Sequence, residues 1–279
     1  MLARVVVLAL AVVLGASPLE APPAGVAVAK RIVSLVPSLT EDLFAIGAGR
    51  LVVGVSDYAD YPPAAKHIPV VASFSSVATE RIVALHPDVV VGIPSQAALT
   101  ADLRRAGEHT VLIGDDRYDD IFTDLRTLGD LSGRRAAADA LIARLEKRTR
   151  ALTATVPVGA RRPSVFVVLG ETPIFTVGRG SYIERLIELA GGRNAAHDLP
   201  QAYGQYSAES LVAAQPDIVI VGTEARLSGA LGRPPWSLLR AVRAHRVYSV
   251  PERVALYRPG PRYNDGLAWL IARLHAAPS

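Results

Sequence analysis

The sequence predicts an α/β protein of two similar lobes with parallel-sheet cores, joined by one long rigid helix, with a ligand cleft between the lobes. Three observations carry this. From Lys30 onward, short β-branched runs alternate with longer stretches of helical period, the pattern of parallel α/β construction. The stretch "ERIVALHPDVVV" at Glu80 recurs as "ESLVAAQPDIVI" at Glu209, with Glu, Val, Ala, Pro and Asp at the same places in both copies, and self-similarity of this kind marks a repeated structural unit. Finally, "RRAAADALIARLEKRTRALT", from Arg134 to Thr153, is alanine-rich, free of Gly and Pro, and apolar at helical spacing. It reads as one stiff helix rather than a flexible linker.

The elements follow in order. Arg4 precedes an apolar run from Val5 to Leu14, and small residues end the run at Ala16. This is the layout of a secretory signal, shorter than the roughly 18 to 20 residues a spanning helix needs. The expected division is a leader over 1–29, a first lobe over 30–132, the linking helix over 133–158 and a second lobe over 159–279. With no cysteine in the chain, stability has to come from the core rather than from disulfides, and no thiol is present to carry a lipid. The mature chain is therefore expected free in a periplasm.

In the first lobe "RIVSLV", "DVVVGI" and "HTVLIG" read as buried strands; in the second, "SVFVVLG", "DIVIVG" and "RVYSV" do. Each repeat copy reads as a short helix, stopped by Pro87 or Pro216, followed by a strand. A second match pairs "SLTEDLFAIGAGR" at Ser38 with "SYIERLIELAGGR" at Ser181, at a wider spacing than the first match. The unequal offsets put extra chain in the first lobe, in the region of "DYADYPP" (57–63).

Several chemistries are excluded or weak. The net charge of +4 is spread as arginines among acids and alanines, with no basic run interleaved with aromatics, so nucleic acid is rejected as a partner. A cysteine nucleophile is absent, no serine sits in a G-x-S-x-G elbow, and none of the six histidines pairs at i, i+4. "GRGS" (178–181) reads as a helix start capped by Ser181, and "IGDDRYDDIF" (113–122) as a turn entering a helix. No catalytic residue, metal or cofactor is expected. An exported two-lobed chain without catalytic groupings fits a receptor that closes a cleft on a small molecule. Loops after strand ends supply the candidate lining: Pro37 and Ser38, Tyr58 and Tyr61, and Phe74 from the first lobe. The second supplies Phe175, Tyr203, Tyr206, Tyr257 and Arg258. Aromatic faces suit a large flat ligand.

The motifs "RIVSLVPSLTE", "GVSDYADYPPAA", "ERIVALHPDVVV" and "ETPIFTVG" resemble the periplasmic cobalamin (vitamin B12)-binding proteins of ABC importers, within the helical-backbone receptors for metal chelates. The resemblance runs from about Arg31 to the C-terminus. It implies a monomeric receptor that captures cobalamin or a related corrinoid, with Tyr58, Phe74, Tyr203 and Phe175 against the corrin and Arg258 bonding its amide groups. It also implies that Glu80 and Glu209, one per lobe, engage arginines on the importer's transmembrane subunits. The physical argument is that two carboxylates at equivalent points of pseudo-symmetric lobes can meet a two-fold symmetric partner. The chain departs from the family where tryptophan gives way to Phe74 and Tyr203. A ferric siderophore or heme is the alternative cargo; for heme, Tyr58, Tyr61 or Tyr203 would have to supply the iron ligand that Phe74 lacks.

Overall fold

The computed structural model describes residues 28–276 except Phe74, Asp115, Ala160, 223–226 and 252–253. The leader segment and Phe74 thus fall outside the described residues, apart from Val28 and Ala29.

The first lobe runs β1 (Ile32–Ser34), α1 (Pro37–Ala45), β2 (Val52–Ser56), β3 (Val70–Ala72), α2 (Thr79–Ala84), β4 (Val89–Gly92), α3 (Ala101–Arg105), β5 (Thr110–Leu112) and α4 (Asp120–Leu131). Its five strands form a parallel sheet ordered β3-β2-β1-β4-β5. Val89, Val90 and Val91 are all buried, as a strand covered on both faces requires.

The linking helix is α5 (Arg135–Thr153), 19 residues, roughly 28 Å at the α-helical rise. It folds back on α4 through Gly133, whose φ of +66° allows the turn, and Arg134 N donates to Gly129 O at 2.6 Å. Gly129 also lets the two helices close in, since a Cβ there would meet that of Ala138 at 2.9 Å.

The second lobe runs β6 (Ser164–Val168), β7 (Gly170–Glu171), β8 (Ile174–Val177), α6 (Tyr182–Leu189), β9 (Arg193–Asn194), β10 (Tyr203–Gln205), α7 (Ala208–Ala214), β11 (Ile218–Val221), α8 (Arg240–Arg243), β12 (Val247–Ser249) and α9 (Tyr263–Leu274). A parallel sheet ordered β12-β11-β6-β9 carries the core. A small antiparallel sheet, β10-β8-β7, lies beside it.

The repeat holds down to backbone angles. β4 begins at Val89 and β11 at Ile218, the same offset that separates Glu80 from Glu209. Just before their prolines, His86 and Gln215 both turn through left-handed conformations, φ +46° and +40°. That stop lets a helix reverse into a buried strand over a very short span. Ser181 caps α6 as expected, accepting from Glu184 N at 3.1 Å.

The lobes are pinned together along α5. Tyr263 of α9 sits edge-on to Tyr118, with ring centroids 5.3 Å apart, and its hydroxyl meets Thr149 of α5 at 2.5 Å. Asn264 donates to Leu145 O at 3.0 Å, and Tyr182 N of the second lobe donates to Asp116 O of the first at 2.7 Å.

Candidate functional site

In both sheets the strand order reverses beside the first strand, and the crevice at that switch point, beyond the carboxyl ends of the strands, is where such sheets bind ligands. A cavity lies there. It measures about 530 Å³. Residues after β1 (Leu35, Val36, Pro37, Ser38), at the end of β2 and after it (Ser56, Asp57, Tyr58) and after β4 (Ile93, Ser95, Gln96) form its first-lobe wall; Tyr257, Arg258 and Pro259 come from the second lobe. A smaller chamber of about 230 Å³ shares Ile93, Ser95, Tyr257 and Pro259 and adds Tyr203, Asp116 and Leu169. The two form one cleft between the lobes.

The expected residues fall as follows. Ser38 is buried on the cleft wall, in the first turn of α1. Tyr58 stands at the lip, 70% exposed and in a left-handed conformation with φ +59°. Tyr203 lines the smaller chamber. Phe175 is exposed on β8, paired with Gln205 of β10, and lines neither chamber. Tyr206 lies off the cleft, packed on Phe166 and donating to Asp198 at 2.9 Å; burial and that bond push its hydroxyl up to about 12. Glu80 and Glu209 lie in the first turns of α2 and α7, at matched points of the two lobes.

Arg258 lines the large chamber, but its Nη1 is already engaged, donating to Asp60 at 2.6 Å and to Glu41 at 3.0 Å. Arg262, four residues on and just ahead of α9, donates to both oxygens of Glu41 at 2.7 Å each, and its guanidinium lies 3.8 Å from the centre of the Tyr61 ring. Glu41 is nearly fully buried. Partial burial alone would raise the Asp60 pKa, but the Arg258 hydrogen bond and charge hold it below the usual carboxylate range. This inter-lobe network was not visible in the sequence, which shows two arginines four apart but not that their partner, Glu41, lies in the other lobe.

Two hydroxyls on the wall, Ser56 Oγ and Tyr257 Oη, are buried without a hydrogen-bond partner among the described residues. Burial pushes the Tyr257 pKa up, so it remains a donor at neutral pH. Behind the wall, Asp42 is fully buried with Oδ1 unpartnered. Its pKa is raised well above the usual range by burial first, then by the Asp124 and Glu41 carboxylates. Among the described residues no cluster of three or more His, Asp or Glu converges as a metal site, and no helix is long and apolar enough to cross a membrane.

Two lobes with parallel sheets, a single helical link and a cleft at both switch points define a substrate-binding receptor fold. The periplasmic binding protein family profile matches residues 32–254, and the chain belongs to that family. The vitamin B12-binding protein of Vibrio cholerae is 30% identical over 256 residues, 89% of this chain and 90% of that one. Its solved structure superposes with a TM-score of 0.76 at 28% identity, covering 88% of this chain and 96% of that one. A Bacillus subtilis protein, described as an uncharacterised ABC transporter substrate-binding lipoprotein, is 28% identical over 255 residues, 88% of this chain and 80% of that one. The apo periplasmic heme-binding protein of a Roseiflexus species superposes with a TM-score of 0.78 at 28% identity, covering 88% and 98%. These are the helical-backbone receptors that the sequence motifs pointed to.

Proposed function

We propose that this chain is the periplasmic receptor of an ABC importer and that its inter-lobe cleft captures cobalamin or a related corrinoid. The observation that carries the reading is the cleft itself: a polar-lipped chamber at the strand ends of both lobes, with the Tyr58 ring exposed at its mouth. The kinship with a vitamin B12-binding protein names the ligand class. An exposed aromatic ring offers a face to a flat macrocycle, while Ser38, Ser56, Gln96 and Tyr257 offer hydrogen bonds to its amide rim. The protein carries cargo and performs no chemistry on it. Glu80 and Glu209 dock the loaded receptor on the two transmembrane subunits of the importer.

Heme is the second reading, favoured by the likeness to a heme-binding structure and by the exposed Tyr58 phenol at the mouth. Calorimetric titration with cyanocobalamin, hemin and a ferric hydroxamate in parallel cells tests both. Submicromolar one-to-one binding of cyanocobalamin alone supports the corrinoid reading. Binding of an iron chelate alone keeps the fold and the docking role but moves the protein to iron uptake.

A further inference from the structure

Charges in the cleft are unevenly matched. Arg258 is the one cationic side chain lining either chamber among the described residues, and it is held by Glu41 and Asp60. Arg262 behind it donates to Glu41 through Nε and Nη2. Asp57 lines the large chamber and Asp116 the small one. Four carboxylates thus face two guanidinium groups. The exposed Lys66, within electrostatic reach of Asp60, narrows the excess without removing it. The amino end of α1 opens on the wall at Pro37 and Ser38 and adds about half a positive charge there, which the carboxylates still outnumber.

We infer that the cleft selects an uncharged or cationic chelate over an anionic one, with Asp60 and Glu41 as the discriminating residues that neutralise its arginines beforehand. This rests on the corrinoid reading and narrows it. A ligand carboxylate gains little at Arg258, because Glu41 and Asp60 on its Nη1 already match its charge, and it meets the carboxylates of Asp57 and Asp116 on the chamber walls. An amide side chain loses nothing. The unpartnered Ser56 and Tyr257 hydroxyls both donate and accept, which matches a group that presents C=O and N–H together.

The test compares cyanocobalamin with each of its monocarboxylic acids, in which one peripheral amide is hydrolysed to the acid at nearly unchanged shape. Affinities are measured for the wild-type protein at low and at physiological salt. Hemin and a ferric tricatecholate serve as anionic controls. The amide form should bind about tenfold or more tightly than at least one acid, with the gap narrowing in salt. Asp60→Asn, at a half-exposed position, should shrink the ratio by removing one of the two negative charges that neutralise Arg258. Equal affinity for amide and acids in wild type overturns the inference and leaves the corrinoid reading standing. An unchanged ratio in Asp60→Asn overturns the assignment to the ion network. Tighter binding of hemin or the tricatecholate than of cyanocobalamin overturns both the inference and the reading.

Discussion

Glu41 on the first lobe grips Arg262 on the second through two hydrogen bonds of 2.7 Å, although the two residues lie near opposite ends of the described chain. Glu41 is 2% exposed at its side chain and Arg262 18%, so the pair is sheltered from solvent. Removing one partner of a buried ion pair leaves the other charge uncompensated and typically costs about 3–5 kcal/mol. Glu41→Gln should lower unfolding free energy by that order in urea titration. Asp60→Asn, the exposed member of the same network, should cost less than about 1 kcal/mol. Equal small losses in both would mean that the buried pair contributes no more than a surface contact.

Tyr58 tests the lip. At 70% exposure it contributes little to the core, so Tyr58→Ala should leave stability within about 0.5 kcal/mol. Loss of its face should weaken ligand binding by about 1 kcal/mol or more, roughly fivefold. Unchanged affinity by calorimetry would return residues 54–63 to the status of a surface turn.

Two aspartates should respond to pH with opposite sign. Asp217 is bonded by Ser164 N and Oγ and by Arg161 and Arg240. Burial would raise its pKa, but these partners outweigh burial and hold it low. Its stabilisation is therefore complete above the unfolded pKa near 4 and fades as pH falls through the lower folded value. Asp42, raised by burial, costs stability as pH climbs above about 4, where the unfolded chain ionises and the folded one does not. Asp217→Asn should thus destabilise at pH 7 and less so at pH 3. Asp42→Asn should stabilise at pH 7 and lose that gain at pH 3. Thermal melts at both pH values read the two slopes, and slopes of the same sign would contradict the assignment.

The docking glutamates should separate binding from delivery. Glu80→Arg and Glu209→Arg change first-turn positions remote in role from the cleft wall, so cargo affinity should hold within about twofold, while uptake through the importer falls sharply in the double variant. Normal uptake by the double variant would reduce both residues to helix-start acids.

Much of this was legible in the chain. The six quoted strands correspond to β1, β4, β5, β6, β11 and β12; β1, β4, β6 and β11 are buried throughout, as a continuous apolar run implies, whereas β5 and β12 lie at sheet edges and are only partly buried, against the expectation. β7 and β9 are too short to show any period. Ser38, Tyr58 and Arg258 reach the cleft because loops after parallel strands open on one side of a sheet. Phe175 belongs to an antiparallel hairpin, where that rule gives no direction. The partners of Arg258, Glu41 and Asp60, lie in the other lobe, and sequence spacing carries no record of contacts between residues so distant in the chain.

The tie between Tyr263, Thr149 and Tyr118, set along the rod of α5, has a consequence for traffic. A rod stapled at both lobes should keep the separation of Glu80 and Glu209 nearly constant whether or not cargo is aboard. Under the proposed docking, empty and laden copies would therefore offer an importer the same two-point landing gear and compete for one berth. Telling them apart would fall to the rim, where Tyr58 stands exposed, and the ratio of receptor to cargo would set how often the berth is wasted.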